Sequence, residues 1–434
     1  MPTRRSVICR LAAISGSMAV VRDPRLWAGG VGEGRAAAEP TVGAGDWPWW
    51  RGPTWNGVAE SGQQVPLRWS DDSGLAWQVK IPGRSHGSPI VVGQQVLIEI
   101  ADPQRNVQSL LCVDRETGKT VWETIIHRDG LNVKNNEKST MASASAACDG
   151  ELIFVNFLSG DSVWMTALDL GGKIVWQVRL GNYVNHQGFG ASPLLYQQLV
   201  IGVSDNKGGG AIVALQRRDG KLVWRRDRPA KPNYPSAVIL EAAGRKQLFL
   251  TGCDLVTSLD PATGETLWEV PGATTECVTT TVTDGERIFT SGGYPKNHVS
   301  AVSADGSGKV VWENGSRVYV PSMLLQDGAL YAVLDAGVAM CWDSASGAEL
   351  WKGRLGGTFS SSPVLVDGRI YATNEEGRTY IFAATREGLK VEAENQLGDS
   401  VFATPAICGG RIYQRIARTE NGVRQEYLVC IRGA

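Results

Sequence analysis

An all-β fold, an eight-bladed β-propeller of four-stranded antiparallel blades closed by an N-terminal strand in the last blade, is predicted by three features of the sequence. A turn-and-tryptophan unit recurs along the chain, typified by VDRETGKTVW from Val113 to Trp122. A second unit, a short hairpin that mostly opens on Ser or Thr, alternates with it. The 52 Gly among 434 residues supply the tight turns that many short strands require.

The first unit ends at Trp122, Trp176, Trp224, Trp268, Trp312 and Trp351, at spacings of 54, 48, 44, 44 and 39 residues. That period belongs to propeller blades rather than to helical repeats. In each copy an apolar strand enters a turn in which an Asp-type side chain bonds its own backbone and Gly takes positive φ, and a second strand leaves. The indole on the outgoing strand needs a neighbouring sheet against which to bury roughly 150–250 Å².

The second unit begins at Ser88, Ala144, Ser192, Ser236, Thr279, Ser322, Ser362 and Thr404, and each copy reads as two β-rich runs around a turn. Eight inner hairpins require eight outer ones. The seventh is worn, with Ala393 where Trp is expected in YIFAATREGLKVEAENQL. The eighth is split: EYLVCIR near the C-terminus supplies the incoming strand, and GLAWQVKIPG, carrying Trp77, supplies the outgoing one. Joining the two ends removes the exposed sheet edges that an open ring would leave.

The pattern A-x-D-x-x-T-G-x-x-x-W resembles the tryptophan-docking repeat of the pyrroloquinoline-quinone (PQQ) type propellers, a family that includes quinoprotein alcohol dehydrogenases and outer-membrane barrel-assembly factors of the BamB type. The resemblance covers the chain from about Arg68 to the C-terminus. DWPWWRGPTWNGV, Asp46 to Val58, resembles the start of secreted PQQ-like proteins of bacteria, and its four Trp are expected to form a strap packed over the propeller.

The expected organisation is a signal peptide over residues 1–38, an N-terminal strap over 39–68 and a propeller over 69–434. Arg4 and Arg5 precede an apolar run from Leu11 to Val21, and TRRSVI resembles the twin-arginine export signal. Eleven residues are too few to span a bilayer, so no transmembrane segment is expected and the protein is placed in the periplasm or outside the cell. A formal net charge of -1 and a pI near 6.5 provide no field to gather nucleic acid. Cys112, Cys341 and Cys430 occupy one repeat position on different sheets, about 10 Å apart when face-packed, and are expected to be free, buried thiols, like most of the remaining cysteines.

In a four-stranded blade the links between blades and the second-to-third strand loops share one face, and the tight turns share the other. Function is sought on the loop face. Most interblade links span 10 or 11 residues, but Trp122 to Ala144 spans 22 and Trp176 to Ser192 spans 16. Their polar residues His127, Arg128, Asn135, Asn136, Tyr183, Asn185, His186 and Gln187 are candidates for ligand or partner binding, with Lys138 in the same insertion. His86, Tyr234, Glu276 and Tyr319, with Phe359 and Phe402, are expected to frame the channel mouth. Gly208 to Gly210 offers backbone N–H groups that could cradle an anion, although no helix follows.

Four scattered histidines lack zinc-like spacing and no G-x-S-x-G elbow is present. The reading is therefore an exported, non-enzymatic, monomeric scaffold that offers its loops to an envelope protein or a small ligand, with no cofactor or metal expected. Two alternatives stand beside it. One is a dehydrogenase using PQQ and calcium, against which stands the absence of the adjacent cysteine pair typical of those enzymes. The other is carbohydrate binding or processing in the envelope, suggested by aromatic content.

Overall fold

A computed structural model describes residues 39–131, 136 and 138–433, so the predicted signal segment lies outside the described residues. Eight antiparallel sheets of four strands follow one another. Blade 1 is built from Ile90–Val92, Gln95–Asp102, Val107–Asp114 and Thr120–Arg128. Blades 2 to 7 repeat that order, innermost strand first. Blade 8 takes Ala406–Cys408, Arg411–Glu420 and Val423–Arg432 from the C-terminal end and completes itself with Leu75–Ile81. Trp77 lies opposite Cys430 and Lys80 opposite Tyr427, the closure expected from the split repeat.

The indoles dock as their spacing implies. Trp77 Nε1 donates to Arg115 O of the next blade at 2.9 Å, and Trp122, Trp176, Trp224, Trp312 and Trp351 make the equivalent bond to Leu170, Arg217, Pro261, Ser344 and Thr385. Trp268 departs from this, donating to Gln247 Oε1 within its own blade. Glycine in the receiving turn is a steric requirement: a Cβ on Gly347, where φ is +72°, would lie 2.4 Å from the Trp312 ring. In the worn seventh repeat Ala393 keeps the strand register opposite Ile381, and buried Trp69 joins Ala393 in one apolar cluster. The backbone N–H of Trp69 bonds Asn395 Oδ1 at 3.0 Å.

All seven cysteines from Cys112 onward are free and buried. Cys112, Cys341 and Cys430 each face the docking tryptophan of the adjacent strand, at Trp122, Trp351 and Trp77. Burial in the apolar sheet interior pushes the Cys112 and Cys341 thiols up to about 12.

A ring of hydroxyl-to-backbone bonds joins the innermost strands. Ser88, Ser145, Ser192 and Ser322 each donate a backbone N–H to the hydroxyl oxygen of Ser145, Ser192, Ser236 and Ser362 respectively, in the following blade. Thr280 N bonds Ser322 Oγ, Ser362 N bonds Thr404 Oγ1, and Thr404 N bonds Ser88 Oγ across the seam between the chain ends, every distance being 2.9–3.0 Å. Seven of the eight blade-to-blade steps carry this bond; at the step from blade 4 to blade 5, Thr280 Oγ1 instead accepts from Trp50 Nε1 of the strap. The hairpin starts read from sequence as Ala144 and Thr279 shift by one residue, because Ser145 enters the ring through its N–H and hydroxyl and Thr280 through its N–H.

The segment from Asp46 to Ala59 crosses the face that carries the tight turns. Trp47 pairs with Val91 of blade 1, Pro48 O accepts from Cys148 N of blade 2, and Ala59 N donates to Leu365 O of blade 7. Arg51 Nη2 reaches Met323 O of blade 6 and Asn56 O, at 2.5 and 2.6 Å. Trp49 and Trp55 stack with centroids 4.7 Å apart, and Trp50 Nε1 donates to Thr280 Oγ1 of blade 5 at 2.9 Å. The strap thus lies across the ring, with Trp50 facing into the central cavity. No helix among the described residues is long and apolar enough to cross a membrane.

Candidate functional site

On the loop face the ring opens into a funnel of about 550 Å³. Its wall is set by the hydroxyl ring, which lies two residues ahead of the inner strands, and by the links that lead into it. Aromatic His86, Tyr234, Tyr319, Phe359 and Phe402 line it, as do Ser88, Ser192, Ser236, Ser362 and Thr404 of the hydroxyl ring. The His86 imidazole stacks on Phe402 with centroids 4.2 Å apart and planes 11° from parallel. Burial holds His86 well below the usual histidine range, and the Arg84, Arg415 and Arg424 charges act in the same direction.

The mouth is crossed by polar contacts between distant blades. Lys138, from the long link after blade 1, pairs with Glu375 of blade 7 at 2.9 Å, and Ser360 Oγ donates to the same carboxylate at 2.6 Å. Asn136 Nδ2 donates to Gln187 Oε1 at 2.8 Å, joining the two long links. His186 Nε2 lies 3.3 Å from Glu276 Oε1 of the link between blades 4 and 5. Burial raises the phenols of Tyr234 and Tyr319, the latter to about 12, and the Glu276 carboxylate adds to both. Asp335 accepts the backbone N–H of Tyr319 at 3.0 Å, and the Arg317 guanidinium stands 5.4 Å from the Tyr319 ring centroid. Burial raises the Asp335 carboxyl, and that backbone bond opposes the shift.

His86, Asn136, Gln187, Tyr234 and Tyr319 therefore meet in one funnel, with His186 and Glu276 paired to each other. The other candidates sit elsewhere. His127 lies at the end of the outer strand of blade 1, packed against Phe157 and Trp164, and burial lowers it to about 4. Arg128 is the exposed last residue of that strand. Tyr183 is buried, its hydroxyl donating to Gly188 O at 2.7 Å, so it fastens the second long link from below. Asn185 is half-buried in the same link, and Asn135 lies outside the described residues. The Gly208–Gly210 loop directs its N–H groups inward: Gly208 N bonds Asn206 Oδ1 and Gly209 N bonds Asn206 O. Glu375, Asp335, Arg317 and Phe189 also line the funnel and were not singled out from sequence, and Trp50 of the predicted strap reaches it as well.

The donors present do not fit a calcium-supported quinone. Among the described residues no three His, Cys, Asp or Glu side chains converge. The two lining carboxylates are engaged separately, Glu375 by Lys138 and Ser360, and Asp335 by the Tyr319 backbone.

The fold defines a tryptophan-docked eight-bladed propeller with a central funnel on its loop face. The chain belongs to the PQQ-like repeat family described as outer membrane protein assembly factor BamB, whose model matches residues 58–171, 108–351 and 295–413. It is 26% identical over 357 residues to the outer membrane protein assembly factor BamB of Burkholderia pseudomallei, a match covering 78% of this chain and 83% of that protein. BamB from Moraxella catarrhalis is similar in structure, with a TM-score of 0.57 at 14% identity, over 81% of this chain and 96% of that one. A europium-containing methanol dehydrogenase superposes with a TM-score of 0.68 at 12% identity, over 89% and 98% of the two chains. At these identities the structural likenesses speak for the fold.

Proposed function

We infer that this protein is an exported, non-catalytic propeller that holds a partner protein of the cell envelope against its loop face. The observation that carries the reading is the meeting of the two long interblade links above the funnel through Asn136 and Gln187. Together with Lys138 and Glu375 this gives a polar surface assembled from blades far apart in sequence, while the strap occupies the opposite face. Family membership beside BamB-type assembly factors supports the same role. The reading calls for a soluble monomer, delivered to the periplasm by the twin-arginine-like segment, and for no cofactor.

The test is affinity capture from envelope extract with the intact secreted protein and with variants in which residues 132–138 and 184–187 are replaced by short Gly-Ser links. Loss of specific partners in both variants is the expected result. Equal recovery removes the loop face from the account. Substituting Lys for Arg4 and Arg5 is expected to retain the protein in the cytoplasm, and unchanged export would remove the twin-arginine route.

A further inference from the structure

We propose that the funnel binds a neutral carbohydrate of about disaccharide size. The argument begins with the hydroxyl ring. Ser88, Ser192, Ser236, Ser362 and Thr404 line the cavity, and each is more than nine-tenths buried. Each hydroxyl oxygen accepts a backbone N–H from a neighbouring blade, which leaves its own O–H proton to donate. The ring thus presents buried donors around one axis, and buried donors are stabilised only by acceptors. A sugar supplies them: its ring and glycosidic oxygens accept such a proton, and each of its hydroxyls can accept one and pass on its own.

The remaining lining fits the same ligand. Tyr234, Tyr319, Phe359, His86 and Phe402 line the cavity, aromatic surface of the kind that packs on the C–H faces of a pyranose. Lys138 and Arg317 are balanced by Glu375 and Asp335, and burial keeps His86 neutral, so the lining carries no net charge to select an ion. The volume of about 550 Å³ lies in the range of small-molecule sites. This site lies beneath the loop tips assigned to a partner and does not depend on that assignment.

The experiment screens the intact secreted protein on an array of neutral glycans, with charged glycans and tripeptides alongside, and titrates the strongest neutral hit by calorimetry. Saturable binding of a neutral glycan is expected. Tyr319→Ala and Tyr234→Ala are each expected to weaken it about fivefold or more, the loss of one stacking contact, with thermal melts confirming folding. Binding confined to charged glycans or peptides overturns the proposal, as does no binding at all. Neutral-glycan binding unaffected by both folded variants overturns this site. Partner capture measured with the same two variants keeps the fates of the two readings apart.

Discussion

Thr404 of blade 8 donates its backbone N–H to Ser88 Oγ of blade 1 at 3.0 Å, across 316 residues of chain. With Trp77 facing Cys430, this bond closes the ring at its inner edge as the strand pairing does at its outer edge. Ser88→Ala leaves a buried N–H without its acceptor, and a loss of about 1–3 kcal/mol is expected in denaturant unfolding. Ser88→Thr, which restores a hydroxyl of the kind present at Thr404, is expected to recover most of it. Equal stability of all three proteins would show the ring to be incidental.

Trp77 docks against the turn of blade 1, where a Cβ on Gly118 would lie 2.7 Å from its ring. Trp77→Ala is expected to cost about 3–5 kcal/mol, and Gly118→Ala to cost at least about 1 kcal/mol because its φ is also +69°. Thermal melts of the two variants read both effects.

The strap depends on the close approach of Gly57 to Arg51: an added Cβ would stand 2.7 Å from Nη2, at a φ of +79°. Burial lowers the Arg51 guanidinium to about 9, and its Nη2 donates to Asn56 O and Met323 O, the contacts an added Cβ would displace. Gly57→Ala is expected to loosen residues 46–59, seen as faster amide exchange in that segment with the blades still protected.

Stability is expected to fall on both sides of an optimum between pH 4.5 and 7. Burial lowers His127 and His298 to about 4 from an ordinary 6.5, so below pH 6.5 the unfolded chain takes up protons that the folded chain refuses, and stability is lost as pH falls. Glu99 is buried and held well above its ordinary 4.5 by desolvation. Above pH 4.5 the unfolded chain releases that proton while the folded chain keeps it, so stability is lost as pH rises, at up to about 1.4 kcal/mol per unit. Glu99→Gln is expected to melt like the parent at pH 4.5 and higher than the parent at pH 8.

The ring architecture was legible because most blades write a local signal of their own: a Gly-bearing turn, a Trp at a near-fixed offset after it, and a Ser or Thr at the entry of the inner hairpin. The worn copy with Ala393 could be placed by its neighbours. Closure was legible from a missing half-repeat at each end, and the free thiols from their shared repeat position. The funnel was only partly readable. His86, Tyr234 and Tyr319 follow from the link positions, but Asp335 and Glu375 sit in short turns, LDAG and NEEG, that look like ordinary connections. The pairing of Lys138 with Glu375 spans 237 residues, and nothing local records it. His127 and Tyr183 drew notice because they are polar residues beside long links. Strand alternation sends His127 against Phe157 and Trp164, and the Tyr183 hydroxyl is taken up by the turn at Gly188.

Closure of the ring by the two chain ends is tested most directly by carbodiimide coupling of the native protein followed by peptide mass spectrometry. Lys80 Nζ lies 2.9 Å from Glu420 Oε2, and both side chains are solvent-accessible. A zero-length isopeptide between Lys80 and Glu420 is predicted in the folded protein and absent after denaturation. Coupling of Lys80 exclusively to carboxylates of blade 1, with none to Glu420, would contradict the closed eight-bladed ring.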